Sequence, residues 1–78
     1  MGRPRVILYS RPRCHLCDEA REALAGMRIG FEEVDIEGDE TLHAAFLERI
    51  PVVEIAGRVV SELGVDEAAI RAAITWES

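Results

Sequence analysis

Along this chain the apolar residues switch repeatedly between the continuous or alternating runs of strands and the three-to-four spacing of helices. Arg5 to Ser10, "RVILYS", is a β-rich apolar run that predicts a buried strand, ended by the turn-forming "SRPR", with Pro12 separating strand from helix. From there Leu16, Ala20, Ala23, Leu24 and Met27 recur on one helical face, while Asp18, Glu19, Arg21 and Glu22 turn to water, and Gly26 is the expected C-cap. Phe31 to Ile36, "FEEVDI", alternates like an edge strand whose acidic side chains discourage unwanted pairing. A second helix is predicted from its cap Asp39 to near Arg49, with Leu42, Ala45 and Phe46 as the apolar stripe and His43 on the solvated side. "PVVEIAGRVVS" reads as a hairpin turning at Ala56-Gly57, with Pro51 tolerated at the start of its strand. The last helix starts at the N-cap Asp66, with Val65 and Ile70 as a staple and Ile70, Ala73 and Ile74 buried, and Trp76 falls near its frayed end.

The order is thus β-α-β-α-β-β-α, an α/β arrangement without repeats or linkers. The first β-α-β unit makes its two strands parallel through a right-handed crossover, the hairpin adds antiparallel strands, and helices cover both faces of a four-stranded mixed sheet. With 78 residues the expectation is one domain over residues 1–78. A chain of this length buries only about 60–65% of the surface that its unfolded form exposes, so the core is small.

Charge narrows the partners. Nine basic residues against fifteen acidic ones give a net charge of -6, which argues against general nucleic-acid binding, where phosphates must be neutralised. Every basic residue is an arginine, and Arg3, Arg5, Arg11 and Arg13 make the N-terminal end basic on an otherwise acidic molecule. No apolar run approaches the ~18 residues of a membrane helix, and the apolar part of "MGRPRVILYS" is too short for a secretory signal, so the expected location is the cytoplasm, off the membrane. A monomer is expected.

The chemistry concentrates in "RPRCHLC", which holds both cysteines of the chain, Cys14 and Cys17, around His15. In a reducing compartment such a pair is more often catalytic or metal-binding than a permanent bridge. Side chains three apart within a helix stand about 5–6 Å apart at Cβ, while a disulfide needs roughly 3.5–4.5 Å, so the pair closes best at a helix start. There Cys14 is accessible and Cys17 shielded, the asymmetry that lets one thiolate attack a disulfide and a second thiol resolve the mixed disulfide. The helix dipole alone contributes typically ~0.3–1 kcal/mol, under one pKa unit. Backbone N–H donors, Arg11, Arg13 and His15 supply the rest of an expected depression of the Cys14 pKa. The residues by themselves leave two other readings open: half of a zinc or iron–sulfur site, for which only His43 adds a usual strong ligand, or two inert buried thiols.

The strand "VILYS", "RPRCHLC" opening a helix, "FEEVDI", and "IPVVEIAGRVV" before a final helix together resemble the glutaredoxins of the thioredoxin superfamily across essentially the whole chain. The resemblance implies a thioredoxin-like (glutaredoxin-type) fold and thiol–disulfide oxidoreductase activity on disulfide-containing proteins or small molecules. It implies no tightly bound cofactor, and glutathione, another small thiol or thioredoxin reductase as the reductant. It implies Cys14 as attacking and Cys17 as resolving cysteine, and a cis Pro51. Ile50 then offers backbone groups to the cysteinyl part of glutathione or to an extended substrate, and Arg11, with Arg13 and His15 beside it, stands where the family places a basic residue near the glutathione carboxylate. The chain departs from the family in two places. His15 and Leu16 replace the usual proline and aromatic residue, and "SELGVDEA" puts Ser61 and Glu62 where many glutaredoxins carry a glycine pair, so that Glu62 is expected to repel a glutathione carboxylate. The reading from another class is a thioredoxin-fold protein-binding or redox-sensing module without turnover.

Overall fold

In the computed structural model, which describes residues 4–77, Val6–Ser10 forms strand β1 at the centre of the sheet. All its residues are buried because strands flank it on both sides and both its faces are covered. Strand β2 (Glu32–Asp35) pairs parallel to β1, strand β3 (Val52–Ile55) antiparallel to it, and strand β4 (Arg58–Glu62) closes the hairpin, giving the order β2-β1-β3-β4. The mixed four-stranded sheet and the parallel first crossover are as the pattern implies. Arg3 lies outside the described residues.

Helix α1 (His15–Gly26) leaves the turn after β1, α2 (Glu40–Phe46) follows a 3₁₀ turn at Ile36–Gly38, and α3 (Glu67–Glu77) follows β4. Asp39 caps α2 by accepting from the N–H groups of Thr41 (2.8 Å) and Leu42 (3.1 Å), and Asp66 caps α3 by accepting from Ala69 (3.0 Å). Side chains from alternate strand positions divide the interior in two. Val6, Leu8, Val53 and Ile55 pack with Ala20, Leu24 and Met27 of the α1 region and Ile70 of α3. On the opposite face Ile7, Tyr9 and Val52 pack with Ile36, Phe46, Ile50 and Cys17.

Several local expectations are corrected. Leu16 is 47% exposed, and the buried line of α1 starts at Cys17, which lies about 100° around the helix from Leu16 and faces the core. Ala45 is exposed, since α2 is only one face wide at its contact and Leu42 and Phe46 fill it. His43 is half-buried. The C-cap of α1 is Met27, and the left-handed residue is Arg28 (φ 59°) instead of Gly26. The Arg28 N–H bonds the Ala25 carbonyl (3.0 Å) and the Ile29 N–H bonds that of Leu24 (3.2 Å), a Schellman closure. Strand β2 is shorter than "FEEVDI", because Ile36 begins the 3₁₀ turn that buries its side chain. Trp76 lies within the last turn of α3, 81% exposed.

Candidate functional site

Ser10, the last residue of β1, is buried, and the chain then turns through Pro12 and Arg13. Arg13 has φ 58°, the left-handed region that a residue with a Cβ seldom occupies, and it redirects the backbone into α1. Cys14 follows in extended geometry as the N-cap of α1, its Sγ accepting from the Cys17 N–H at 3.2 Å. A cysteine sulfur thereby takes the place of the usual capping oxygen, and a first-turn N–H of the helix is aimed at it.

Cys14 and Cys17 are joined as a disulfide with their Cα atoms 5.2 Å apart. Leaving the helix at the N-cap is what brings the pair within the usual range. Cys14 is partly exposed, whereas Cys17 is fully buried among Tyr9, Ile50 and Val52. Among the described residues no group of three or more His, Cys, Asp and Glu is disposed to hold a metal ion.

The Ile50–Pro51 peptide is cis. Ile50 belongs to the same cluster as Cys17, so the segment before β3 and the start of α1 share one end of the sheet. The Ile50 N–H donates to the Phe46 carbonyl (3.0 Å), so of its two backbone groups the amide is already engaged within the chain. Arg11, Arg13 and His15 are exposed around Cys14, and Arg11 also lines an open cleft of about 320 Å³ with Ser10, Pro12, Arg21, Glu33 and Asp35.

Two polar networks around this site escaped the sequence. Arg21 of α1 donates through Nε to Glu33 of β2 (2.8 Å) and through Nη1 to Asp18 (2.7 Å), while the Ser10 hydroxyl donates to the same Glu33 carboxylate (2.7 Å). The Arg21 guanidinium, and secondarily the Ser10 hydroxyl, hold the Glu33 carboxyl below its ordinary pKa against the opposing effect of burial. The other network ties Arg49 to Glu62 through two hydrogen bonds (2.7 and 3.1 Å), with the Arg49 guanidinium over the Phe46 ring and that ring stacked on Tyr9. The Leu63 N–H also bonds the Arg49 carbonyl (2.9 Å). Glu62 is thus ion-paired with Arg49, whose guanidinium holds its carboxyl below its ordinary pKa. Ser61 is buried, its hydroxyl donating to the Gly64 carbonyl (2.6 Å) and accepting from the Asp66 N–H (3.0 Å), which shapes the turn into α3. The i, i+3 spacing of Asp18 and Arg21 was visible in the sequence, but Glu33 and Glu62 enter only through strand register.

Residues 5–75 match the family described as Glutaredoxin-like domain (DUF836). An uncharacterized protein of Mycobacterium tuberculosis is 37% identical over 83 aligned positions, which cover 95% of this chain and 86% of that protein. A protein of X. campestris solved by X-ray is 42% identical with a TM-score of 0.73, over 86% of this chain and 91% of that one. The solution structure of a glutaredoxin from Brucella melitensis superposes with a TM-score of 0.65 at 26% identity, covering 92% of this chain and 79% of that one.

Proposed function

The chain belongs to the glutaredoxin-like family, and from that premise we propose that it reduces disulfides by thiol–disulfide exchange through Cys14 and Cys17. The observation that carries this reading is the bonded pair at the start of α1, with one sulfur at the surface and the other fully buried behind it. A redox dithiol needs that order, because the outer sulfur meets the substrate and the inner one is protected from it.

In the reduced protein the Cys14 thiolate attacks one sulfur of a substrate disulfide. A Cys14–substrate bond forms, the substrate S–S bond breaks, and the departing thiolate takes a proton from solvent. The Cys17 thiol then loses its proton and its sulfur attacks Cys14 Sγ, which releases the second substrate thiol. Two electrons pass from the protein dithiol to the substrate, and the Cys14–Cys17 disulfide remains. A thiol reductant such as glutathione, or a thioredoxin reductase, restores the dithiol. Arg11, Arg13 and His15 stabilise the Cys14 thiolate and attract anionic substrate groups, and the segment of Ile50 and Pro51 forms the opposite wall. With the Ile50 amide engaged, substrate pairing there falls to the remaining backbone groups.

The test is a coupled reductase assay on small and protein disulfides with each reductant in turn. Wild-type protein turns over with at least one of them, Cys14→Ser abolishes turnover, and Cys17→Ser accumulates a mixed disulfide on Cys14 that mass spectrometry detects. No turnover with either reductant would replace the oxidoreductase by a binding or sensing module of the same fold.

A further inference from the structure

Cys14, the N-cap, and Asp18 and Arg21 of α1 follow one another from the start of the helix. Asp18 is one turn after Cys14, its N–H bonding the Cys14 carbonyl at 3.1 Å, and Arg21 follows three residues later on the same side. Along the helix start the order is therefore the outer cysteine, a carboxylate and a guanidinium. An unrestrained Asp18 carboxylate one turn from Cys14 is a like charge facing a thiolate, and like charges raise each other's pKa.

The Asp18 carboxylate is restrained. Its Oδ1 bonds Arg21 Nη1 at 2.7 Å, toward the far end of the helix and away from the N-cap. Arg21 is fixed in turn by Glu33, and Glu33 by the hydroxyl of buried Ser10 at the end of β1. The clamp is thus anchored on the sheet. We propose that Arg21 is a positioning residue for thiol exchange: by drawing the Asp18 carboxylate along the helix and neutralising it, Arg21 keeps a like charge off the Cys14 thiolate. This rests on the reading that Cys14 is the attacking thiol.

The charged and titratable groups around Cys14 are Arg11, Arg13 and His15 in the turn and first helical residues, Asp18 and Arg21 further along α1, and Glu33 and Asp35 on β2. Of these, Asp18 is the acidic residue one helical turn after Cys14. Glu33 remains held by Ser10 when Arg21 is removed.

The test titrates Cys14 by thiolate absorbance in a Cys17→Ser background. R21Q raises the Cys14 pKa by about half a unit, the effect of a unit charge roughly 6 Å away through water, which lowers the thiolate fraction near neutral pH by up to about threefold. Adding D18N to R21Q restores the original midpoint, which a loss of packing or of Glu33 contacts would not do. D18N with Arg21 intact gives no rise and keeps the proposal testable if R21Q folds poorly. An unshifted midpoint in R21Q, an unrescued shift in R21Q/D18N, or a rise in D18N alone overturns the role of Arg21. These outcomes are separate from those of the reductase assay. Absent turnover in the wild type refutes the exchange activity whatever the titration, whereas normal turnover with an unshifted midpoint refutes only the positioning role.

Discussion

The residue on which the proposed exchange turns is Cys14, the cap of α1 and, in that proposal, the sulfur nucleophile. Its Sγ already accepts the Cys17 N–H at 3.2 Å in the disulfide form, and a thiolate is a better acceptor than a disulfide sulfur. Arg11 and Arg13 are exposed beside it and make no ion pair among the described residues, so their charge is not cancelled locally as those of Arg21 and Arg49 are. Opposite charge and hydrogen bonding to the ionised form act in the same direction. In the Cys17→Ser protein the Cys14 thiol is expected to titrate below the ~8.5 of free cysteine. Replacing Arg11 and Arg13 together by Gln moves it upward, and a value at or above about 8.5 in the Cys17→Ser protein with both arginines in place contradicts the thiolate role proposed for the cap.

At the level of elements, the hairpin shows how local sequence and backbone disagree. Ala56 and Gly57 both have positive φ (51° and 83°), as a two-residue primed turn requires, yet only Gly57 is free of a Cβ. A left-handed backbone costs an L-residue with a Cβ roughly 1–2 kcal/mol, less for Asn, whose side chain bonds locally. A56N is therefore expected to stabilise the fold by about 0.5–1 kcal/mol. The check is a rise in the urea midpoint at unchanged slope. A fall in the midpoint counts against the turn geometry.

The same scale separates what was legible in the sequence from what was not. Strands, helices and N-caps were readable because each rests on its own residues: the apolar run of β1, Asp39 and Asp66 at N-caps, Ile70 on the buried side of α3. The cysteine pair was readable for the same reason. Arg28 as the left-handed residue of α1, Leu16 in solvent, and the clamps Arg21–Glu33 and Arg49–Glu62 depend on where a helix stops, which way it is rolled and which strand lies beside it. Those are set by packing of the whole chain, and no spacing in the sequence encodes them.

For the whole molecule, the sheet ends in two protected edges. β2 exposes Glu32, Glu33 and Asp35, with Arg5 paired to Glu32, while on β4 the register steps from Val53–Ser61 to Glu54–Val59, leaving Val60 as the extra residue of a bulge. Charge on one edge and distortion on the other both disfavour pairing with another chain. The site lies at one end of the sheet, where the turn after β1 and the segment before β3 meet. In these described residues no helix is long and apolar enough to cross a membrane.

The position of Trp76 decides how the protein can be watched. It is the only tryptophan of the chain and 81% exposed on the last turn of α3, so its indole is in water before any unfolding begins. Denaturant is expected to shift its emission only slightly while the helical circular dichroism is lost. A two-state test by coincident optical probes therefore has to pair the dichroism with something other than tryptophan emission. A large red shift on denaturation would reveal that the ring is covered in solution, and the same silent baseline makes a blue shift on mixing with another molecule a clean optical sign that the last turn of α3 has been covered.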